Sequence, residues 1–123
     1  MRTVDLSAID VAARGRVLRY GADRAPAGAN VNFVSVGSGS NEWLIRTYER
    51  GVEAETYACG TGAVATAACL VSWQMASGDT GIRLRTASDR VLTVRLAEHA
   101  DGAWSELSGE GRTVFHGVLH EYR

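Results

Sequence analysis

Proline and cysteine are rare in this sequence, with one proline and two cysteines among 123 residues. Two cysteines make no disulfide framework, and neither stands in a CxxC or Cys/His spacing that would bind a metal. A reducing compartment therefore suits the chain best. No apolar run approaches the ~20 residues that span a bilayer, and the first residues contain no signal-like apolar stretch. We expect a soluble, cytoplasmic protein with no metal and no membrane partner.

Charge of either sign is not in excess. Thirteen basic side chains stand against fourteen acidic ones, which gives a formal net charge of −1. This balance excludes the basic footprint of a protein that binds nucleic acid or an anionic membrane. Small molecules or other proteins are the expected partners. The length suits one modest core, so we predict a single domain over 1–123.

Short apolar segments lie on both sides of one small-residue apolar stretch, and Gly, Ser and Asp mark the turns between them. The stretch 61–76 predicts a helix that is apolar or small nearly all round, which favours burial on several sides. We therefore predict an α+β fold, in which an antiparallel or mixed curved sheet wraps around one central buried helix. The predicted strands are 17–20, 31–36, 43–48, 82–86, 91–96, 103–107 and 114–122, with hairpin turns at 37–41 and 88–89.

The stretch 58–63, Ala-Cys-Gly-Thr-Gly-Ala, places Cys59 just before the predicted helix. The first N–H groups of a helix have no partner within it, and together with the helix dipole they stabilise a thiolate. Cys59 is therefore a candidate base or nucleophile. The alternative for a lone cysteine is a small buried hydrophobe. Gly60 and Gly62 favour the functional interpretation because they allow a ligand to approach the backbone. Cys69 has no such context, and we interpret it as helix packing.

Charged and polar side chains upstream of this turn suit an amino-acid ligand. Arg50 offers a bidentate fork to a carboxylate, and Glu49 can hold an ammonium group. The alternative is a solvated pair of little consequence. Asn30 offers an amide at the start of a strand, or is only a turn residue. We expect Glu53 and Glu55, in the loop that follows, to face solvent.

Three segments in register resemble diaminopimelate epimerase. Residues 28–34 (Gly-Ala-Asn-Val-Asn-Phe-Val) are similar to its GxNVNFV segment, 45–52 to its substrate-clamp strand and 55–63 to its catalytic turn. Residues 114–118 (Val-Phe-His-Gly-Val) are similar to its VFxG ending, although Gly-Glu-Gly at 109–111 replaces the usual Gly-Pro-Ala. The loop between residues 50 and 59 is one residue longer than in the family's usual pattern. The resemblance covers nearly the whole chain.

The resemblance implies an isomerase that interconverts LL- and meso-diaminopimelate, on the route to lysine and peptidoglycan, without pyridoxal phosphate or any other cofactor. One cysteine removes the α-proton and a second returns a proton on the opposite face. It also implies a role for each matching residue: Cys59 as one acid/base, Gly60 and Thr61 as donors to the α-carboxylate, Glu49 and Arg50 as substrate-binding residues, and Asn30 as a substrate contact.

The resemblance further implies a second domain, whose catalytic turn is of the Cys-Gly-Asn-Gly kind, and a GNPH-like strand before Val4. Neither is found in the sequence. We therefore expect the C-terminal domain of such an enzyme, truncated at its front edge and supplying half of the site. An N-terminal half or a second copy would supply the rest. The alternatives are a non-catalytic domain that binds a partner chain and another two-base amino-acid racemase of the same superfamily.

Overall fold

The computed structural model describes residues 5–121. This part of the chain contains two helices, each followed by three strands, and one short 3₁₀ turn at Ala22–Arg24. In chain order they are α1 (Val11–Arg19), β1 (Val31–Val36), β2 (Glu42–Glu49), β3 (Ala54–Thr56), α2 (Gly60–Ser72), β4 (Ile82–Arg85), β5 (Val91–His99) and β6 (Gly102–Ser108). The predicted α+β class is confirmed. Neither described helix is long and apolar enough to cross a membrane.

The strands form one mixed sheet in the order β1-β2-β4-β5-β6. β1 and β2 make the predicted hairpin, with Val31 opposite Tyr48 and Val36 opposite Trp43. The other edge of β2 is shared, because β4 runs parallel to its first half and β3 runs antiparallel to its second half. The predicted turn at 88–89 joins the antiparallel strands β4 and β5.

Each helix packs on its own face of the β1–β2 hairpin. Successive side chains of a strand point to opposite faces, and both Phe33 and Val34 are buried because a helix covers each face. The cluster below α1 contains Leu6, Ile9, Val11, Phe33 and Tyr48. The cluster below α2 contains Val34, Trp43, Ile45, Ala63, Ala67, Leu70, Ile82, Leu84 and Val94.

The helix α1 corrects the prediction of a strand at 17–20. Its start is fixed by Asp10, whose side chain accepts a hydrogen bond of 2.9 Å from the backbone N–H of Ala13. The helix then lies so close to β2 that a Cβ on Gly15 would stand 2.4 Å from the Cβ of Tyr48. The residues from Val17 onward have the composition of a short strand. They are helical because the helix that Asp10 caps continues through them.

The helix α2 is shorter than predicted and is buried along one face only. It ends at Ser72 rather than near 76, because Gln74 takes a left-handed conformation (φ 57°) and the N–H of Met75 bonds back to the carbonyl of Leu70. Its outer face, which includes Ala65, Ala68 and Cys69, is exposed. The expectations of burial on several sides and of a packed Cys69 are therefore wrong for residues 5–121.

The strand predicted at 114–122 is absent from the described residues. Residues 109–121 adopt no regular structure and are exposed, and position 122 lies outside the described range. A strand forms only when a neighbour pairs its backbone groups, and the last ladder contact of the sheet joins Thr93 to Ser108.

Candidate active site

The centre of the site is the sulfur of Cys59, which caps the N-terminus of α2. Cys59 has an extended backbone (φ −138°, ψ 110°), and its Sγ accepts a hydrogen bond of 3.4 Å from the N–H of Gly62. The hydroxyl of Thr61 lies 3.5 Å from the same sulfur. Both contacts lie at the positive end of the helix dipole.

The N–H groups of Gly60 and Thr61 come first in α2. The N–H of Ala63 bonds to the carbonyl of Cys59 at 2.9 Å, and that of Gly62 is directed to the sulfur. Within residues 5–121, no acceptor bonds to the N–H of Gly60 or Thr61. Two donors at the end of a 13-residue helix are thus available to an anion beside the thiol.

Asn30 connects Cys59 to Arg50. Its Nδ2 lies 3.9 Å from the sulfur of Cys59, and its Oδ1 accepts a hydrogen bond of 2.8 Å from the backbone N–H of Arg50. The sequence offered Asn30 only as a weak candidate. The fold brings three of the candidate residues into one chain of contacts, although they span 29 positions.

Glu49 and Arg50 point to different partners and form no ion pair with each other within the described chain. The carboxylate of Glu49 accepts a hydrogen bond of 2.8 Å from the hydroxyl of Thr56 in β3. The guanidinium of Arg50 is exposed and reaches the carbonyl of Ala27 at 3.5 Å. Both charges remain available to a ligand, because neither is neutralised by the other.

Space beneath the thiol is tight. A Cβ on Gly62 would stand 2.7 Å from Oδ1 of Asn32 and 3.3 Å from the sulfur of Cys59. Asn32 cannot easily give way, since its Oδ1 also accepts a hydrogen bond of 2.8 Å from the hydroxyl of the buried Thr47. Glycine is therefore required at 62 by close approach rather than by an unusual φ.

The expectation that Glu53 and Glu55 face solvent is confirmed for Glu53, which is exposed, and is wrong for Glu55. Glu55 is half-buried and accepts two hydrogen bonds of 2.7 Å from Arg46. Arg46 also donates to the carbonyls of Leu6 and Ile9, at 2.9 and 3.0 Å. This bidentate pair ties β2 to β3 and to the segment before α1. Glu55 looked like a loop residue because the strand β3, which carries it opposite β2, was not predicted from the sequence.

The carboxylate of Glu53 is also held by several donors. The N–H of Gly51 and then the guanidinium of Arg19 hold the pKa of Glu53 at about 2, well below its ordinary value, against the opposing effect of desolvation. Glu53 therefore stays ionised across the neutral range. No sequence pattern indicated this, because Arg19 belongs to a helix that the sequence did not predict.

The described residues enclose little space beside Cys59. The cavity that Cys59 lines has a volume of about 10 Å³, whereas small-molecule sites occupy hundreds of Å³. The second cysteine does not contribute here. Cys69 lies ten positions further along α2, ~15 Å along the helix axis, and is exposed on its outer face. Nor do three His, Cys, Asp or Glu side chains between 5 and 121 gather into a metal site.

Diaminopimelate epimerases are among the known proteins that resemble this chain. No family model matches the chain. It is 48% identical over 122 residues to a diaminopimelate epimerase of Gemmatimonas aurantiaca, covering 94% of this chain and 43% of that protein. Diaminopimelate epimerases of Aquifex aeolicus and Chlorobaculum tepidum are 39% and 36% identical, covering 95% and 94% of this chain and 40% and 43% of their own lengths. The chain thus spans about two fifths of the curated relatives that it matches.

Solved structures extend the likeness to the fold. A protein described as a predicted epimerase from Pseudomonas aeruginosa matches with a TM-score of 0.60 at 21% identity, covering 86% of this chain and 35% of its own. A phenazine biosynthesis protein of the PhzF family from Bacillus anthracis also scores 0.60, at 15% identity, and covers 86% and 33%. Over nearly its whole length this chain is similar in sequence to part of several diaminopimelate epimerases, and it shares its fold with these two solved structures.

Proposed function

We propose that this chain supplies one half of a diaminopimelate epimerase active site, the C-terminal half, and that the complete site interconverts LL- and meso-diaminopimelate. The observation that carries this proposal is the contact chain from Cys59 through Asn30 to Arg50. It joins a group that moves protons to a group that binds a carboxylate. The names of the relatives support the substrate.

In this scheme the thiolate of Cys59 removes the α-proton of the substrate. The Cα–H bond breaks, an S–H bond forms, and the electron pair stays on the α-carbon beside its carboxylate. The N–H groups of Gly60 and Thr61, which have no acceptor within residues 5–121, stabilise the charge that develops on that carboxylate. A thiol on the opposite face then donates a proton to the carbon, and the configuration inverts.

The remaining side chains orient the substrate. Arg50 binds a carboxylate and Glu49 binds an ammonium group, while Asn30 contacts the substrate and keeps both Arg50 and Cys59 in place. These roles need no cofactor, since thiol groups and oriented N–H donors carry every proton and charge. The reaction suits the cytoplasm, where thiols stay reduced.

The second acid/base comes from another polypeptide segment. Two arrangements meet this requirement: an N-terminal half that carries its own catalytic cysteine, or a second copy of this chain. The cavity that Cys59 lines supports such a partner, because about 10 Å³ is far too small for an amino acid. Cys69 is unsuited to the role, since it is exposed on the outer face of α2.

The test is the conversion of LL-diaminopimelate to the meso isomer, followed by chiral chromatography. The chain is assayed alone, at rising concentration, and with the remaining segment of the Gemmatimonas aurantiaca relative. Conversion with the added segment supports the half-site, and conversion by the chain alone with a steep concentration dependence supports a pair of copies. Absence of conversion in all three assays would contradict the proposal, provided that the added segment and the chain are shown to associate.

A further inference from the structure

The turn between β2 and β3 holds a glutamate in an unfavourable backbone conformation. Glu53 has a φ of 57°, in the left-handed region, and Gly51 in the same turn has a φ of 91°. The N–H of Glu53 closes the turn on the carbonyl of Glu49 at 2.8 Å. A non-glycine residue persists in this region only when its surroundings offset the cost.

The carboxylate of Glu53 provides that offset. Its Oε1 accepts hydrogen bonds from Nε of Arg19 at 2.8 Å and from the N–H of Gly51 at 3.1 Å. Its Oε2 accepts from the hydroxyls of Tyr20 and Tyr48, at 3.0 and 3.4 Å. The side chain of Arg19 is only 12% exposed, so water competes weakly with Glu53 for its hydrogen bonds. The β2–β3 turn is thereby fixed to the end of α1.

From Glu53 the contacts continue to the active site by two routes. Gly51, which donates to Glu53, directly follows Arg50. On the other side, Nη1 of Arg19 donates to the carbonyl of Ala27 at 3.3 Å, and Nη1 of Arg50 reaches the same carbonyl at 3.5 Å. Glu53 is therefore linked to the backbone of Arg50 through Gly51. It is linked to the guanidinium of Arg50 through Arg19 and the carbonyl of Ala27.

The segment leading to Asn30 is fixed in the same way. A Cβ on Gly28, whose φ is 69°, would stand 1.8 Å from Nη1 of Arg19, and the N–H of Ala29 donates to the carbonyl of Arg19 at 3.4 Å. Arg19 is thus packed against the two residues before Asn30. Because Glu53 binds the guanidinium of Arg19, displacement of Glu53 releases that packing.

We propose that Glu53 is a positioning residue that holds Arg50 and Asn30 in place beside Cys59. It touches neither substrate nor sulfur and acts through Arg19 and Gly51. The inference rests on the proposed function, in which Arg50 binds a substrate carboxylate. Its structural part, the placement of Arg50, is tested separately from that function.

The first readout is the hydrogen exchange rate of the Arg50 amide, which donates to Oδ1 of Asn30. Glu53→Gln keeps the shape of the side chain and removes its charge. We expect the exchange of the Arg50 amide to rise about tenfold, the effect of losing one hydrogen bond to a charged group. The amide of Gly62 reports on the Cys59 turn and is expected to keep its rate.

The second readout is the electrostatic effect of Arg50 on reagents that approach the thiol. A loss of stability alone would not alter this effect. Cys59 is alkylated with iodoacetate, an anion, and with iodoacetamide, which is neutral, and both products are mapped by mass spectrometry. With Arg50 binding a carboxylate beside the thiol, as proposed, its displacement lowers the iodoacetate to iodoacetamide rate ratio at Cys59 about threefold. The ratio at Cys69 serves as the internal reference.

Asp89→Asn is the matched control. Asp89 also has a positive φ (61°) and pairs with an arginine, Arg85 at 3.0 Å, but it lies in the β4–β5 turn. The Asp89→Asn variant is expected to leave the Arg50 exchange rate and the alkylation ratio at Cys59 unchanged. Tyr20→Phe, which removes a single donor to Glu53, is the milder variant if Glu53→Gln unfolds, and it should move both readouts in the same direction by less.

An unchanged hydrogen exchange rate of the Arg50 amide in a folded Glu53→Gln or Tyr20→Phe variant would overturn the positioning role of Glu53. Arg50→Gln separates this result from the proposed function. If Arg50→Gln leaves the iodoacetate ratio at Cys59 unchanged, then the role of Arg50 at the thiol is wrong, and the exchange rate of the Arg50 amide alone decides the role of Glu53.

Discussion

The side-chain nitrogen of Asn30 lies 3.9 Å from the sulfur of Cys59. The oxygen of the same amide accepts the backbone N–H of Arg50 at 2.8 Å. One side chain therefore fixes the distance between the helix end that carries the thiol and the turn that carries the arginine. The consequences of this link are measurable in the isolated chain.

Asn30→Ala removes both contacts. We expect the free energy of unfolding to fall by about 1 kcal/mol, the usual worth of one hydrogen bond. The alkylation of Cys59 by iodoacetamide should slow severalfold, because a donor to the thiolate is lost. Asn41→Ala is the matched control, since Asn41 ties the loops at the other end of α2 through the carbonyl of Gly81 at 2.8 Å. It should destabilise the fold without slowing Cys59, and equal slowing in both variants would contradict the specific link.

Gly62→Ala tests the close packing beneath the thiol. A helical Gly→Ala change normally adds stability, by roughly 0.5–1 kcal/mol. Here the new Cβ would meet Oδ1 of Asn32 at 2.7 Å, and overpacking of this kind costs about 1–3 kcal/mol. We expect the second effect to win, so that the melting temperature falls. Gly111→Ala, where a Cβ meets nothing within 4 Å, should be neutral; a stabilised Gly62→Ala protein would show that Asn32 moves aside.

The ion pair between Glu53 and Arg19 predicts how the free energy of unfolding depends on pH. The pKa of Glu53 is about 2 in the folded chain, against an ordinary value of 4.5, because Gly51 and Arg19 donate to its ionised form. Its stabilisation is therefore complete above about pH 4.5 and is lost as the pH falls through about 2. Glu53→Gln should be less stable than the native chain at pH 7, and the two unfolding free energies should converge in acid. A constant difference down to pH 2 would contradict the lowered pKa.

Arg46→Lys tests the bidentate pair with Glu55. A lysine cannot make two parallel bonds to one carboxylate while also reaching two backbone carbonyls. We expect a loss of about 1.5–3 kcal/mol in the free energy of unfolding. A double-mutant cycle with Glu55→Gln isolates the pair. Arg24→Lys is the control, because its partner Asp23 is an exposed neighbour, and such pairs contribute less than about 1 kcal/mol. Equal losses in the two variants would show that the bidentate geometry adds nothing.

Much of the sheet could be predicted from the sequence because its strands alternate apolar and polar residues between clear turns. The strand 31–36 was predicted with its observed bounds, and the hairpin that follows it was predicted as well. The first helix was missed, since Val17 and its neighbours form a short apolar run that either structure accommodates. Asp10, which caps its N-terminus, was a signal in the sequence that would have indicated it.

The candidate site shows where local patterns stop being informative. The stretch around Cys59 indicated a thiol at a helix end, and the structure has that arrangement. The partners of Glu53 and Glu55 were not predictable, because Arg19 lies 34 positions from Glu53 and belongs to the missed helix. The exposure of Cys69 depends on what packs against the outer face of α2, which the composition of the helix does not determine.

The most direct measurement of the central claim is the incorporation of deuterium at the α-carbon of LL-diaminopimelate in heavy water, followed by NMR. The native chain, Cys59→Ser and Cys69→Ser are compared, each together with the remaining segment of the relative. We predict incorporation with the native chain and with Cys69→Ser, and a loss of at least about 100-fold with Cys59→Ser, the usual contribution of a positioned acid/base. Equal incorporation by the native chain and Cys59→Ser would contradict the role of Cys59 as the base.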